Sequence, residues 1–200
     1  MSWIKTISYS ESTGKLKRIY DKIKGPNNAI DNVMGVHSLR PHTLEGHMGL
    51  YKSVLHHTNN ELPKWYLEVL GVVVSKLNKC NYCLAHHSVG VKKNMQDDEK
   101  AIAILRSIEN GNTEQALNKK LHGGIKYAEA ITNDLANVKK DHIDKLKEVG
   151  LSDGEILEIN QVVSYFNYVN RMVVGLGVNL EESDIGLSPA SKDSDNWSHK

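Results

Sequence analysis

The chain has 200 residues, 40% of them apolar and 24% charged, which suits one globular domain, or two small units sharing a core, and excludes a disordered chain. Lys plus Arg (25) balances Asp plus Glu (24) for a formal charge of +1, leaving no basic footprint for a nucleic acid or an anionic membrane surface. Four Pro leave room for long helices, and a single Phe obliges the core to rest on Leu, Ile and Val.

No basic segment followed by an apolar one opens the chain. The most apolar run, Leu67 to Leu77, carries Glu68 and Lys76 and falls short of the ~20 residues that span a bilayer. A cytoplasmic protein with neither nucleic acid nor membrane as partner is expected.

In chain order, Ser12 opens a helical pattern through Leu16, Ile19, Tyr20 and Ile23, closed by Gly25-Pro26. A short stretch surrounds Ile30, Val33 and Met34, and Pro41 to His57 carries Leu44, Met48, Tyr51 and Leu55 at helical spacing. Leu62-Pro63 starts a helix whose apolar residues, from Tyr66 to Leu77, cover most of its circumference, so it is expected to be central and buried. Val72-Val73-Val74 has strand propensity, but the apolar run is too long and unbroken for a strand.

Cys80 to Lys93 reads as the next helix, and Asp97-Asp98 caps one through Ile108. Leu121 to Leu135, Asp141 to Val149 and Ser152 to about Gly175 complete an all-α chain. Ser152 and Glu155 stand at capping-box spacing. The expected organisation is one domain over residues 1–182 and a polar tail over 183–200. A faint repeat links Ser75-x-x-Asn78, followed by a helix ending Gly90-Val91, to Ser164-x-x-Asn167, followed by one ending Gly177-Val178. An internal duplication and shared helix composition explain it equally well. Val169 and Met172 stand where the second copy would carry thiols.

Cys80 and Cys83 are the only cysteines. So short a loop cannot staple a fold, so the pair is redox-active or half of a metal site. Cys83 and His87 are i and i+4 on one helix face, and the helix N-terminus adds positive potential near Cys80. An imidazole beside a thiol can take its proton, and Glu68 on the preceding buried helix needs a partner that His87 could be. Zinc on Cys80, Cys83, His86 and His87 would crowd every ligand onto two helical turns, whereas structural zinc draws on separated pairs. No metal and no cofactor are expected. His37, His42 and His47 fall five residues apart, on no single helical face, and receive no role; His56-His57 reads as surface or capping.

Glu68-x11-Cys80-x2-Cys83-x3-His87 resembles the active-site motif of the alkyl hydroperoxide reductase D (AhpD) and carboxymuconolactone decarboxylase-like superfamily, and is most similar to its peroxidase-related branch. The motif core spans about residues 38–108, and Phe166-Asn167-x-x-Asn170-Arg171 resembles that branch's C-terminal helix.

The resemblance implies an AhpD-like helical bundle, a homo-oligomer between dimer and hexamer, and thiol peroxidase chemistry. By position Cys83 is the peroxidatic thiol, Cys80 resolves it as a disulfide, and Glu68 and His87 relay the proton. The substrate is a hydroperoxide, and the reductant is a dithiol on a lipoylated or thioredoxin-like protein. One departure stands out: the hydroperoxide reductase has a His before the second Cys, where this chain has Tyr82. Two other readings are a decarboxylase-like enzyme without redox chemistry, against which the thiol pair counts, and a redox sensor whose disulfide controls assembly.

Overall fold

A computed structural model describes residues 2–182 and residue 185. Apart from Ile185, the segment read as a polar tail over 183–200 lies outside the described residues. Nine α-helices and no strand occur among the described residues, 70% of which are helical. They are α1 (Gly14–Ile23), α2 (Asn32–Gly35), α3 (Pro41–Leu55), α4 (Lys64–Leu77), α5 (Asn81–Met95), α6 (Asp98–Asn110), α7 (Lys119–Asn133), α8 (Lys140–Glu148) and α9 (Asp153–Gly175). Expected and observed ends differ by a residue or two, the usual uncertainty of fraying termini. The described residues group into two compact units: 2–56 with 172–182, and 57–171.

The first unit is organised by α1 and α3. Leu16, Ile19, Tyr20 and Ile23 recur at helical spacing on α1 and bury against Leu44 and Met48 of α3. Burying the Tyr20 ring requires a partner for its hydroxyl, which donates to the Ile7 carbonyl at 3.0 Å. The chain after α9 returns to this unit: Leu176 O accepts from Trp3 N–H at 2.8 Å. Gly177, at φ +61°, lies against the Trp3 indole, where any Cβ would collide. His37 and His47, given no role by the periodicity, meet here with ring centroids 4.8 Å apart. His37 precedes α3, so helical spacing did not govern their distance.

The second unit is built around α4, buried on every side from Tyr66 to Ser75. This helix packs against α5 and α7. Its Val72-Val73-Val74 run is helical, as the length of the apolar pattern required. Pro63 lies one residue earlier than its expected place in the first turn and occupies the N-cap. Tyr66 reaches α7, where its hydroxyl donates to the Leu121 carbonyl at 2.6 Å. Asp97 caps α6 by accepting from Lys100 N–H at 3.1 Å.

The capping box opening α9 forms in full. Ser152 Oγ accepts from Glu155 N–H at 3.1 Å, and the Glu155 carboxylate accepts from Ser152 N–H at 2.9 Å. No helix among the described residues is long and apolar enough to cross a membrane.

Gly71 lets α9 approach α4, because a Cβ there would fall onto the Phe166 ring. In an open helix, Gly→Ala is favourable by ~1 kcal/mol. Here Gly71→Ala is expected to destabilise instead, by ~1–3 kcal/mol as the core overpacks, read as a lower urea midpoint at unchanged slope.

Candidate active site

The site begins with the turn between α4 and α5. Lys79 adopts the left-handed conformation at φ 56°. Its N–H bonds Lys76 O at 3.1 Å, and Cys80 N–H bonds Ser75 O at 2.8 Å. These two bonds make a Schellman ending to α4. A lysine where glycine is the easy choice costs ~1–2 kcal/mol, and the tight turn it allows sets Cys80 at the N-cap of α5.

Glu68 is 3% exposed in the middle of α4. A lone ionised carboxylate there would cost several kcal/mol (~2–7 even for a neutral polar group). His87 of α5 meets it, with Nδ1 2.6 Å from Glu68 Oε2. The other side of the carboxylate rests on the backbone of α5, since a Cβ on Gly90 would lie 2.5 Å from Glu68 Oε2. Phe166 of α9 holds the imidazole edge-on, with centroids 4.5 Å apart. The orientation of His87 is thus fixed by a charge on α4, a missing side chain on α5 and a ring on α9.

The two thiols are buried and 3.4 Å apart. No side-chain hydrogen bond closes the α5 cap at Cys80. Its thiolate is favoured first by the Cys83 S–H, which donates to it, and then by the N–H groups of Cys83 and Tyr82 at the helix start; burial opposes them. Together they bring Cys80 down to about 7. Cys83 moves upward, because its proton is held by the neighbouring thiolate and because it is buried. Above a pH of about 7 the pair therefore holds one proton, with the charge favoured on Cys80. The sequence spacing put an imidazole, His87, within reach of Cys83. The S–H of Cys83 and the helix start favour Cys80 instead.

Tyr82, at the place where the hydroperoxide reductase has a His, stacks on His86 at 4.5 Å. Tyr165 is buried beside the site; burial, with the Cys83, Tyr168 and Glu68 charges, raises its hydroxyl well above the ordinary range, so it stays protonated. Among the described residues no three of His, Cys, Asp and Glu gather as a metal set.

All four residues singled out from the sequence, Glu68, Cys80, Cys83 and His87, lie on α4, α5 and the turn between them. The sequence reading missed Ser75 and Asn170, both fully buried and joined at 3.2 Å beneath the thiols. Their signals in the sequence were the faint repeat, which holds Ser75, and the segment from Phe166 to Arg171, which holds Asn170.

Comparison with known proteins follows the same lines. Residues 41–112 match the sequence profile of the carboxymuconolactone decarboxylase family, close to the expected core of 38–108. Over that segment the chain is similar to the carboxymuconolactone decarboxylase family.

The AhpD-like fold extends further. A peroxidase-related protein with an alkylhydroperoxidase AhpD core, from Ralstonia eutropha JMP134, superposes with a TM-score of 0.74 at 19% identity, over 90% of this chain and 93% of that one. A peroxidase-related protein from Silicibacter sp. TM1040 gives 0.67 at 22% identity, over 78% and 79%. The debrominase Bmp8 gives 0.70 at 18%, over 88% and 91%. Identities this low establish the fold. No curated protein matches the sequence.

The one-charge pair makes a direct prediction. Alkylation of the reduced protein by a haloacetamide should rise with pH through a midpoint of about 7, the thiolate being the reactive form. Cys83→Ala removes the first cause of that low value, so the Cys80 midpoint should move up toward the ordinary ~8.5. A midpoint that stays in place would show that the helix start alone sets it.

Proposed function

We propose that the chain is a thiol-dependent peroxidase that reduces hydroperoxides with the Cys80–Cys83 pair and is recharged by a dithiol. The carrying observation is two buried thiols 3.4 Å apart, on the helix whose His87 pairs with the buried Glu68 carboxylate at 2.6 Å. In the first step a sulfur attacks the hydroperoxide. A sulfur–oxygen bond forms, the oxygen–oxygen bond breaks, and the alkoxide leaves with a proton that the Glu68–His87 pair can supply. In the second step the other sulfur attacks the sulfenic acid, the disulfide forms and water departs.

The net change consumes one hydroperoxide and two thiols and yields alcohol, water and one disulfide. A lipoylated or thioredoxin-like dithiol would then exchange with the disulfide, becoming oxidised itself. The family resemblance assigns the first attack to Cys83 and the resolving step to Cys80. A low-pKa thiol within reach of a second sulfur is of little use to a decarboxylase, so the pair favours this reading over non-redox chemistry.

Addition of a hydroperoxide should remove both thiols with one-to-one stoichiometry, and a dithiol should restore them. Glu68→Gln and His87→Ala should slow peroxide reduction by ~10²–10⁴, the usual range for general acid–base help, while the circular dichroism melt stays cooperative. Thiols that survive the hydroperoxide would end this reading. Retained activity in Cys83→Ser would reverse the roles of the two sulfurs.

We further propose that the working form is a homo-oligomer in the cytoplasm. Leu157 and Tyr168, eleven positions apart and so on one face of α9, are about half exposed. Sedimentation at micromolar concentration should give at least a dimer, and a monomer would refute it.

A further inference from the structure

The amide groups beneath the thiols can be oriented without ambiguity. Asn167 Nδ2 lies 3.1 Å from the Val163 carbonyl and 3.0 Å from Thr132 Oγ1, and a carbonyl can only accept. Asn167 Oδ1 lies 2.7 Å from an Arg171 guanidinium nitrogen, which can only donate. Both ends of that amide are therefore fixed. The Asn78 atom 3.1 Å from Asn167 Oδ1 must then be a donor, its Nδ2. The same Nδ2 also donates to Asn170 Oδ1 at 3.1 Å.

With its oxygen engaged by Asn78, Asn170 turns its Nδ2 to the other side. One hydrogen goes to Ser75 Oγ at 3.2 Å. The other faces Cys83, where hydrogen bonding by Asn170 favours the thiolate. Arg171 and Asn167 on α9 and Asn78 in the turn between α4 and α5 thus orient Asn170 so that an N–H, and not its oxygen, meets that sulfur. Each charge position in the thiol pair now has a donor of its own. On Cys80 the charge is met by the N–H groups at the start of α5; on Cys83 it is met by Asn170.

We propose that Asn170 is the anion-holding residue of Cys83: its amide N–H, oriented by Asn78 and Asn167, receives the negative charge when the shared proton passes from the Cys83 sulfur to the Cys80 sulfur. This rests on the peroxidase reading and deepens it. A resting charge on Cys80 and a first attack by Cys83 become compatible. The proton moves one way between the sulfurs, the charge moves the other, and the newly ionised Cys83 forms the sulfur–oxygen bond. Cys80 later gives up that proton to the departing water as it closes the disulfide.

The test uses single-thiol variants and no peroxide, so it can succeed or fail independently of the peroxidase assay. In Cys80→Ala, the thiolate absorbance of Cys83 is titrated with and without Asn170→Ala. Loss of a hydrogen bond to a charged group should raise the Cys83 pKa by about one unit or more and slow its alkylation at neutral pH by ~10-fold. In Cys83→Ala, the same substitution should leave the Cys80 titration in place, which a general loosening of the fold would not.

Should Asn170→Ala fail to fold, Asn78→Asp keeps Asn170 but offers it only acceptor oxygens. The Asn170 N–H is then drawn away, and the Cys83 pKa should again rise. An unchanged Cys83 pKa in either variant, or equal shifts at both sulfurs, would overturn the proposal.

Discussion

A carboxylate placed in the middle of a helix buried on every side has to be met by the rest of the protein. Glu68 is that group. It is 3% exposed, so a charge on it must be balanced largely from neighbouring helices. The surroundings answer this in three ways: His87 at hydrogen-bonding distance, the bare backbone of Gly90 against the carboxylate, and Phe166 holding the imidazole. Once α5 is docked so that Gly90 and His87 face Glu68, the start of that helix has little freedom, and the thiols at its first turn are placed with it. The demand of one buried charge thus fixes the register of α5 against α4.

The thiol pair follows a second constraint, that two sulfurs at contact distance in a buried place cannot both ionise. The proton stays between them, and the competition is settled by which sulfur has better donors. Cys80 is favoured first by the Cys83 S–H that donates to it, and then by the helix N–H groups to which the strained, non-glycine turn at Lys79 delivers it. Backbone strain at Lys79 and the lowered Cys80 pKa are therefore two aspects of one local geometry. The amide ladder from Arg171 through Asn167 and Asn78 to Asn170 extends the same logic beneath Cys83, with rigid donors and acceptors at one end deciding what the sulfur meets at the other.

The faint repeat in the sequence acquires a physical counterpart. Asn78 and Asn167, the matching positions of its two copies, are bonded to each other at 3.1 Å. Whether by duplication or by shared composition, the two helical segments meet at their corresponding polar residues. The copy without thiols supplies the amides that the copy with thiols uses.

Much of this was present in the order of residues. Helical periodicity holds within one chain segment, so the nine helices, the all-round burial of α4 and the Ser152–Glu155 cap could be read directly. The Glu68, Cys80, Cys83 and His87 set could be read because its members lie on consecutive elements, where spacing limits distance. Tertiary structure decided whatever depends on segments remote in sequence. His37 and His47 meet because the chain turns before α3 begins. Asn170 reaches Cys83 because α9 packs against α4 where Gly71 offers no side chain. The Cys80 thiol is lowered and the Cys83 thiol raised because a thiol's pKa is set by donors and burial in three dimensions, and i to i+4 spacing shows only that a neighbour is within reach.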